Sequence, residues 1–334
     1  MIRAVLIGIA MLVAVQACTS SSQQTKRAEI PVWLTSPPLD SAEVIYGVGS
    51  GYSYDEAKQS ALKEISGKLI TEISSKSNIE ISQYNDSVSR SANEQVSSRT
   101  VEMQLSNYKV LKSEQVGNEI FVQLSMSKPA FINSTSSRLK EVDGKIKSAM
   151  RNVSKKTKLQ QLIVVQELEP SINKARSLVL LLQAAGVKQN TDKYLSYYSG
   201  VLEKSKELLH KLRFSVSANG ALRGIAEQLV AMLNNENISV SISNKKNADA
   251  HIRVDGAINS SILFSQHIAQ IKLTFKVSDK NSRVIAVREY ELSGASVSNK
   301  NNAIESAVKS LGNKFKDNGV LASLGVIDKQ VMAD

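Results

Sequence analysis

Residues able to do chemistry are few in this 334-residue chain, and they are scattered. Cys18 is the only cysteine. The three histidines, His210, His251 and His267, show no metal-ligand spacing and no HExxH set. His251 and His267 can approach one another only across a hairpin, and they read as exposed strand residues. Glu227, Asp249 and Asp255 would need to face each other at about 5 to 10 Å across a cleft to work as a glycosidase-like pair. Nothing in their spacing pairs them, so they read as a helix-face charge and strand-end residues. Serine is abundant, yet no G-x-S-x-G elbow occurs. The run Gly47-Val48-Gly49-Ser50-Gly51 invites a phosphate-cradle reading. Tyr52, however, occupies the third glycine position of G-x-G-x-x-G, and no GK[ST] follows. The glycines are expected to let a helix start close against a strand. No metal, no cofactor and no catalysis are expected.

What positions Cys18 is more informative than what surrounds the other candidates. Arg3 gives a positive start, Ala4 to Val15 is apolar, and Ala17 is the small residue expected before a cleavage point. The run falls short of the roughly 20 apolar residues that a span needs. Val15-Gln16-Ala17-Cys18 resembles the lipobox of bacterial lipoproteins, which implies cleavage between Ala17 and Cys18 and acylation of Cys18 by diacylglycerol and a further chain such as palmitate. Several chains on one residue meet the two-signal requirement for stable anchoring. Thr19, where an aspartate would favour inner-membrane retention, implies the outer membrane, with the chain facing the periplasm. Acylation leaves no thiol for disulfides or zinc sites.

The formal charge of +11 is unevenly spread. Residues 19–135 carry 11 Lys and Arg against 13 Asp and Glu, residues 136–212 carry 15 against 7, and residues 213–334 carry 15 against 11. The excess therefore sits in the middle, where Lys145, Lys147, Arg151, Lys155, Lys156 and Lys158 form a candidate binding surface. The aromatic interleaving of a nucleic-acid surface is missing, so the expected partner of such a face is an anionic headgroup, an acidic envelope protein or a cell-wall polymer, and not nucleic acid.

The elements read as α+β: two small domains of antiparallel sheet plus helix, joined by a helical hairpin or bundle. Residues 1–17 are the signal peptide and 18–30 a polar tether. Domain 31–128 begins with an extended proline strap carrying Trp33, then a strand at Val44–Val48 and a helix at Tyr54–Ser75 capped by Ser53 and Glu56. Strands are expected around Ile79 and Ile81, at Val101–Leu105, and in a hairpin across Gly117-Asn118. Asn85–Ser98 is left open between ribbon and loop. Segment 129–212 is helical and basic, with one helix expected to stop before Pro170 and the next to end at Gly186. Tyr194, Tyr197 and Tyr198 line one side of its third helix, most simply as core. Domain 213–325 repeats the sheet-plus-helix plan, with a helix striped by Leu222, Ile225, Leu229 and Leu233 and a last one by Ile304, Ala307, Leu311 and Phe315.

Pro31-Val32-Trp33-Leu34, Pro37-Pro38, Ile45-Tyr46-Gly47-Val48-Gly49-Ser50 and the helix with Ala57 and Ala61 together resemble the LPP-twenty family of bacterial outer-membrane lipoproteins over about the first 130 residues. Related modules occur in flagellar assembly lipoproteins. The resemblance implies a non-enzymatic envelope role; some 200 further residues depart from the small members of the family. The leading expectation is a lipid-anchored protein that supports or docks an envelope assembly, flagellum-associated or otherwise. The alternative is a module binding cell-wall glycan or another anionic polymer, with an envelope hydrolase third.

Overall fold

The computed structural model describes residues 30–80, 105, 108–242 and 247–327. Ala17, Cys18, the stretch Asn85–Ser98 and the strand expectations at Ile81 and Val101–Gln104 lie outside the described residues. The chain divides into two compact units, one built on residues up to Ile65 with Tyr108–Met126, the other on the remainder.

In the first unit the proline strap is not extended throughout. Val32–Thr35 forms one helical turn, α1, because Pro31 sits ahead of it where no N–H is needed. The turn closes through Ser36 N–H donating to Val32 O. Trp33 is buried and its Nε1 donates to Glu114 Oε2 at 3.3 Å. Strand β1 spans Val44–Gly51, so the glycine run belongs to a strand and not to a loop. Helix α2 follows at Tyr54–Glu80, which makes Ile79 helical and not the start of a strand. Glu56 N–H donates to Ser53 Oγ, and the Glu56 carboxylate accepts from Tyr52 N–H at 2.8 Å, a capping box displaced by one residue. Strands β2 (Tyr108–Val116) and β3 (Glu119–Ser127) pair antiparallel across Gly117-Asn118, and the sheet order is β1-β3-β2.

Gly47, Gly49 and Gly51 alternate onto the strand face that meets α2. A Cβ on Gly49 would stand 2.1 Å from Ala61 N and 2.3 Å from Ala57 O; one on Gly47 would stand 2.4 Å from Ala61 O. Backbone thus lies on backbone. The run that resembles a phosphate loop is a packing surface.

The second unit takes in the latter part of α2, from Ser66, and then three helices: α3 at Lys128–Met150, α4 at Lys158–Ala184 and α5 at Thr191–Lys211. Pro170 lies inside α4, which continues through it, so the expected helix break does not occur. Proline removes one ladder bond, and apolar burial on both sides offsets that loss: Leu159, Leu162 and Val165 before it, Ile172, Ala175, Leu178 and Val179 after it, are fully buried. Gly186, at φ 97°, terminates the helix, with Val187 N–H donating back to Leu182 O.

The sheet of this unit runs β5-β4-β6-β7-β8, from β4 (Arg213–Ala218), β5 (Ser239–Ile242), β6 (Ala250–Leu263), β7 (Gln266–Asp279) and β8 (Val284–Ser296). The α+β class holds, but this sheet is mixed, not purely antiparallel. β4 is parallel to both β5 and β6, because α6 (Arg223–Asn235) carries the chain back across the sheet between β4 and β5. β6, β7 and β8 form an antiparallel ribbon longer than the apolar alternation suggests. Helix α7 (Lys300–Asn318) covers it, with Gly294 on β8 meeting the backbone of Ala303 and Ala307. Phe275, Tyr290 and Phe315 cluster beneath, and Tyr290 donates to Ser323 O at 2.7 Å, fixing the terminal turn α8, Val320–Ser323.

Candidate binding surfaces

The six basic residues singled out from the sequence sit at the corner where α3 turns into α4, and their environments differ. Lys145 pairs with Glu141 on the exposed face of α3. Lys147 pairs with Asp143 at 2.7 Å and its ammonium stands 5.5 and 5.8 Å from the ring centres of Tyr194 and Tyr197. Lys158 pairs with Asp249 at 3.1 Å, where the start of α4 meets the sheet. Arg151, Lys155 and Lys156 are exposed, and among the described residues no acidic partner faces them. The free cationic patch is therefore these three.

Lys147 belongs to a cluster that sequence reasoning saw only in pieces. Tyr198 is fully buried in the bundle and donates to Asp143 Oδ1 at 3.1 Å, while Tyr194 stacks on it and Tyr197 meets it edge-on. Burial, and after it the Asp143 charge, push the Tyr198 phenol well above its ordinary range. The hydrogen bond that the Lys147 ammonium donates to Asp143 holds its pKa above its ordinary value. One carboxylate satisfied by a phenol and an ammonium, with rings around the cation, locks α3 to α5. The signal was the i, i+4 spacing of Asp143 and Lys147 opposite three tyrosines on one helix face.

A second polar set fastens the bundle to the sheet. Asp279 is buried and accepts from Gln160 Nε2 at 2.8 Å, Thr157 Oγ1 at 3.4 Å, Asn281 N–H at 2.9 Å and Arg283 N–H at 3.0 Å. Its neighbour in register, Ala250, follows Asp249, which takes Lys158 and the N–H of Arg213. The helix cap of α4 and the turn between β7 and β8 thus share one carboxylate.

The three carboxylates weighed as a catalytic pair stand apart, each with a base of its own: Glu227 with Arg223, Asp255 with Arg253, Asp249 with Lys158. His251 and His267 lie at opposite ends of one hairpin, paired in register with Ser278 and Ile262. That separates them by about 35 Å. His251 Nδ1 is 2.8 Å from Ser215 Oγ and its Nε2 is 2.9 Å from Ser217 Oγ. A serine on an imidazole nitrogen is the start of a nucleophile geometry, but Ser215 is fully buried and both nitrogens serve a cross-strand ladder. His210 occupies the last turn of α5. Among the described residues no group of three or more His, Cys, Asp or Glu is placed to hold a metal, and no helix is long and apolar enough to cross a membrane.

The feature that sequence reasoning missed is the far end of the ribbon. β6 and β7 stay paired to Leu263 and Gln266, and the turn between them is Phe264-Ser265. Both turn residues have positive φ, 47° and 61°. Such a turn normally takes Asn-Gly, and a phenylalanine there costs of order 1–3 kcal/mol. Ile262, Leu263 and Phe264 are exposed, Phe264 at 92%. With no Gly or Asn to mark the turn, and Ser and Asn interrupting the alternation of β6, nothing local announced it.

Comparison with known proteins adds a family match to the first part of the chain. Residues 31–124 match the family model described as LPP20 lipoprotein. That is the stretch whose Pro-Val-Trp-Leu and Ile-Tyr-Gly-Val-Gly-Ser runs carry the resemblance. Among solved structures, the secreted protein HP1454 from Helicobacter pylori aligns at 15% identity and TM-score 0.46, over 84% of this chain and 98% of that one. A minor lipoprotein from Acinetobacter baumannii aligns at 13% identity and TM-score 0.27, over 32% of this chain and 90% of its own. No curated protein matches. Both structural scores are low, and the fold described above stands on this chain's own geometry.

Proposed function

We propose that this chain is a non-catalytic, lipid-anchored protein of the bacterial cell envelope, held at the outer membrane through Cys18, facing the periplasm, and presenting its second unit to an envelope assembly. The observation that carries this reading is the lipobox-like Val15-Gln16-Ala17-Cys18, followed a short polar tether later by the segment that matches the LPP20 lipoprotein model. The family's related modules make a flagellum-associated assembly the first to examine. Palmitate labelling and envelope fractionation of the wild type and a Cys18→Ala variant provide the test. Labelling that vanishes in the variant, together with its loss from the outer-membrane fraction, is the expected result; an unchanged distribution sinks the anchor.

The exposed trio Arg151, Lys155 and Lys156 supports a second reading, binding to an anionic cell-wall polymer. Retention on purified sacculi should then fall with salt and with charge reversal of the trio. Salt-insensitive retention, or none, removes it.

A further inference from the structure

The tip of the β6–β7 hairpin has the chemistry of a surface that meets lipid. We propose that Ile262, Leu263 and Phe264, with Val297 at the end of β8, insert into the interfacial layer of a phospholipid bilayer. The proposal rests on the envelope-anchored reading only in that a bilayer then lies within reach.

Four observations converge. Exposure is large and contiguous in sequence: Ile262 is 69% exposed, Leu263 57% and Phe264 92%, while Val297, one residue past the Ser296 that pairs with His267, is 76% exposed. No Lys, Arg, Asp or Glu occurs from Gly256 to Ile271 or from Leu292 to Asn299. Three neighbouring strand segments are therefore free of Lys, Arg, Asp and Glu, the side chains that resist leaving water most. The backbone is also partly prepared, since β6 and β7 remain paired with each other up to Leu263 and Gln266, and the groups on the seam between the two strands are satisfied there. Ser260 and Ser261, behind the apolar apex, and Ser265, in the turn beside Phe264, are all exposed and can hydrogen-bond headgroups.

The shape favours lipid over a protein pocket. β8 pairs no further than His267, and β4 pairs with β6 no further than Val254, so the apex projects as a narrow convex end. A fluid bilayer closes around such an end without a matching cavity. Charge agrees at longer range, because the chain remains strongly basic without its first 17 residues and is drawn to an anionic leaflet.

The experiment uses the full lipidated chain carrying Phe264→Trp, mixed with vesicles of phosphatidylethanolamine and phosphatidylglycerol, and reads the difference in emission against the parent chain, whose one tryptophan is Trp33. A blue-shifted difference spectrum, quenched by lipids brominated along their acyl chains, is expected. Adding Ile262→Ser and Leu263→Ser should reduce the quenched fraction about tenfold per apolar side chain removed. An indole that keeps its aqueous emission and escapes bromine quenching overturns the proposal. So does one that shifts only when an envelope protein extract is added. Flotation of the same samples reads the Cys18 anchor separately: a chain that floats with an unquenched indole loses the tip proposal alone, and one that is quenched yet fails to float loses the anchor alone.

Discussion

The two ends of the β6–β7 hairpin are built in opposite ways. At one end Asp279 and Asp249 are buried or nearly so, and each collects donors from the start of α4 and from neighbouring turns. At the other, fourteen residues along β6, there is no formal charge, the side chains are apolar and in water, and the turn is strained. The difference separates two uses of one element. Polar groups that are buried and satisfied hold the unit together; apolar groups left outside, at a conformational cost, contribute nothing to the fold that would explain them.

The contrast can be broken hardest at its polar end. Asp279→Ala leaves Gln160 and two turn amides without their acceptor and should lower unfolding free energy by about 3 kcal/mol, measured by chemical denaturation. A loss below about 1 kcal/mol would mean that the carboxylate is not the fastening described.

An intermediate effect is expected from the other buried carboxylate contact. Tyr198 and Lys147 both have raised pKa values in the folded chain. Groups of this kind stabilise fully below their unfolded values, near 10 for tyrosine and lysine, and that contribution is lost as pH rises above them. Stability should therefore fall above about pH 10. Tyr198→Phe should cost about 1 kcal/mol at neutral pH and flatten the alkaline fall. Thermal melts between neutral pH and pH 11 check both, and an unchanged alkaline slope would remove Tyr198 from the account.

The smallest change, opposite in sign, belongs to the apolar tip. Phe264→Gly relieves the positive φ and should leave the melting temperature equal or raise it, by about 1 kcal/mol in stability. Destabilisation would show that Phe264 packs for the fold after all.

Much of this architecture was legible in residue order. The stripes Leu222, Ile225, Leu229, Leu233 and Ala307, Leu311, Phe315 lie on buried helix faces, and Gly117-Asn118 does turn a hairpin. What escaped has physical causes. Pro170 reads as a stop because local rules weigh one lost hydrogen bond and cannot weigh the burial of α4 around it. The parallel pairing of β4 with β5 and β6 is decided by which neighbour each strand meets, which no local pattern encodes. Of the basic surface, sequence marks the cations and the i, i+4 spacing of Asp143 to Lys147, but not Asp249, which reaches Lys158 from 91 residues away; among the described residues Arg151, Lys155 and Lys156 face no acidic partner. The hairpin tip was hidden for the reverse reason, since it breaks the turn chemistry by which hairpins are recognised.

The contact of Gly47 and Gly49 with Ala57 and Ala61 recurs in the second unit, where Gly294 meets Ala303 and Ala307. Its consequence is one of stiffness. Where main chain rests on main chain there are no rotamers to hop and no long side chains to give way, so strand and helix have no soft coordinate along which to slide. Both units should therefore behave as rigid plates on fast timescales, with whatever compliance the molecule has placed outside these seams.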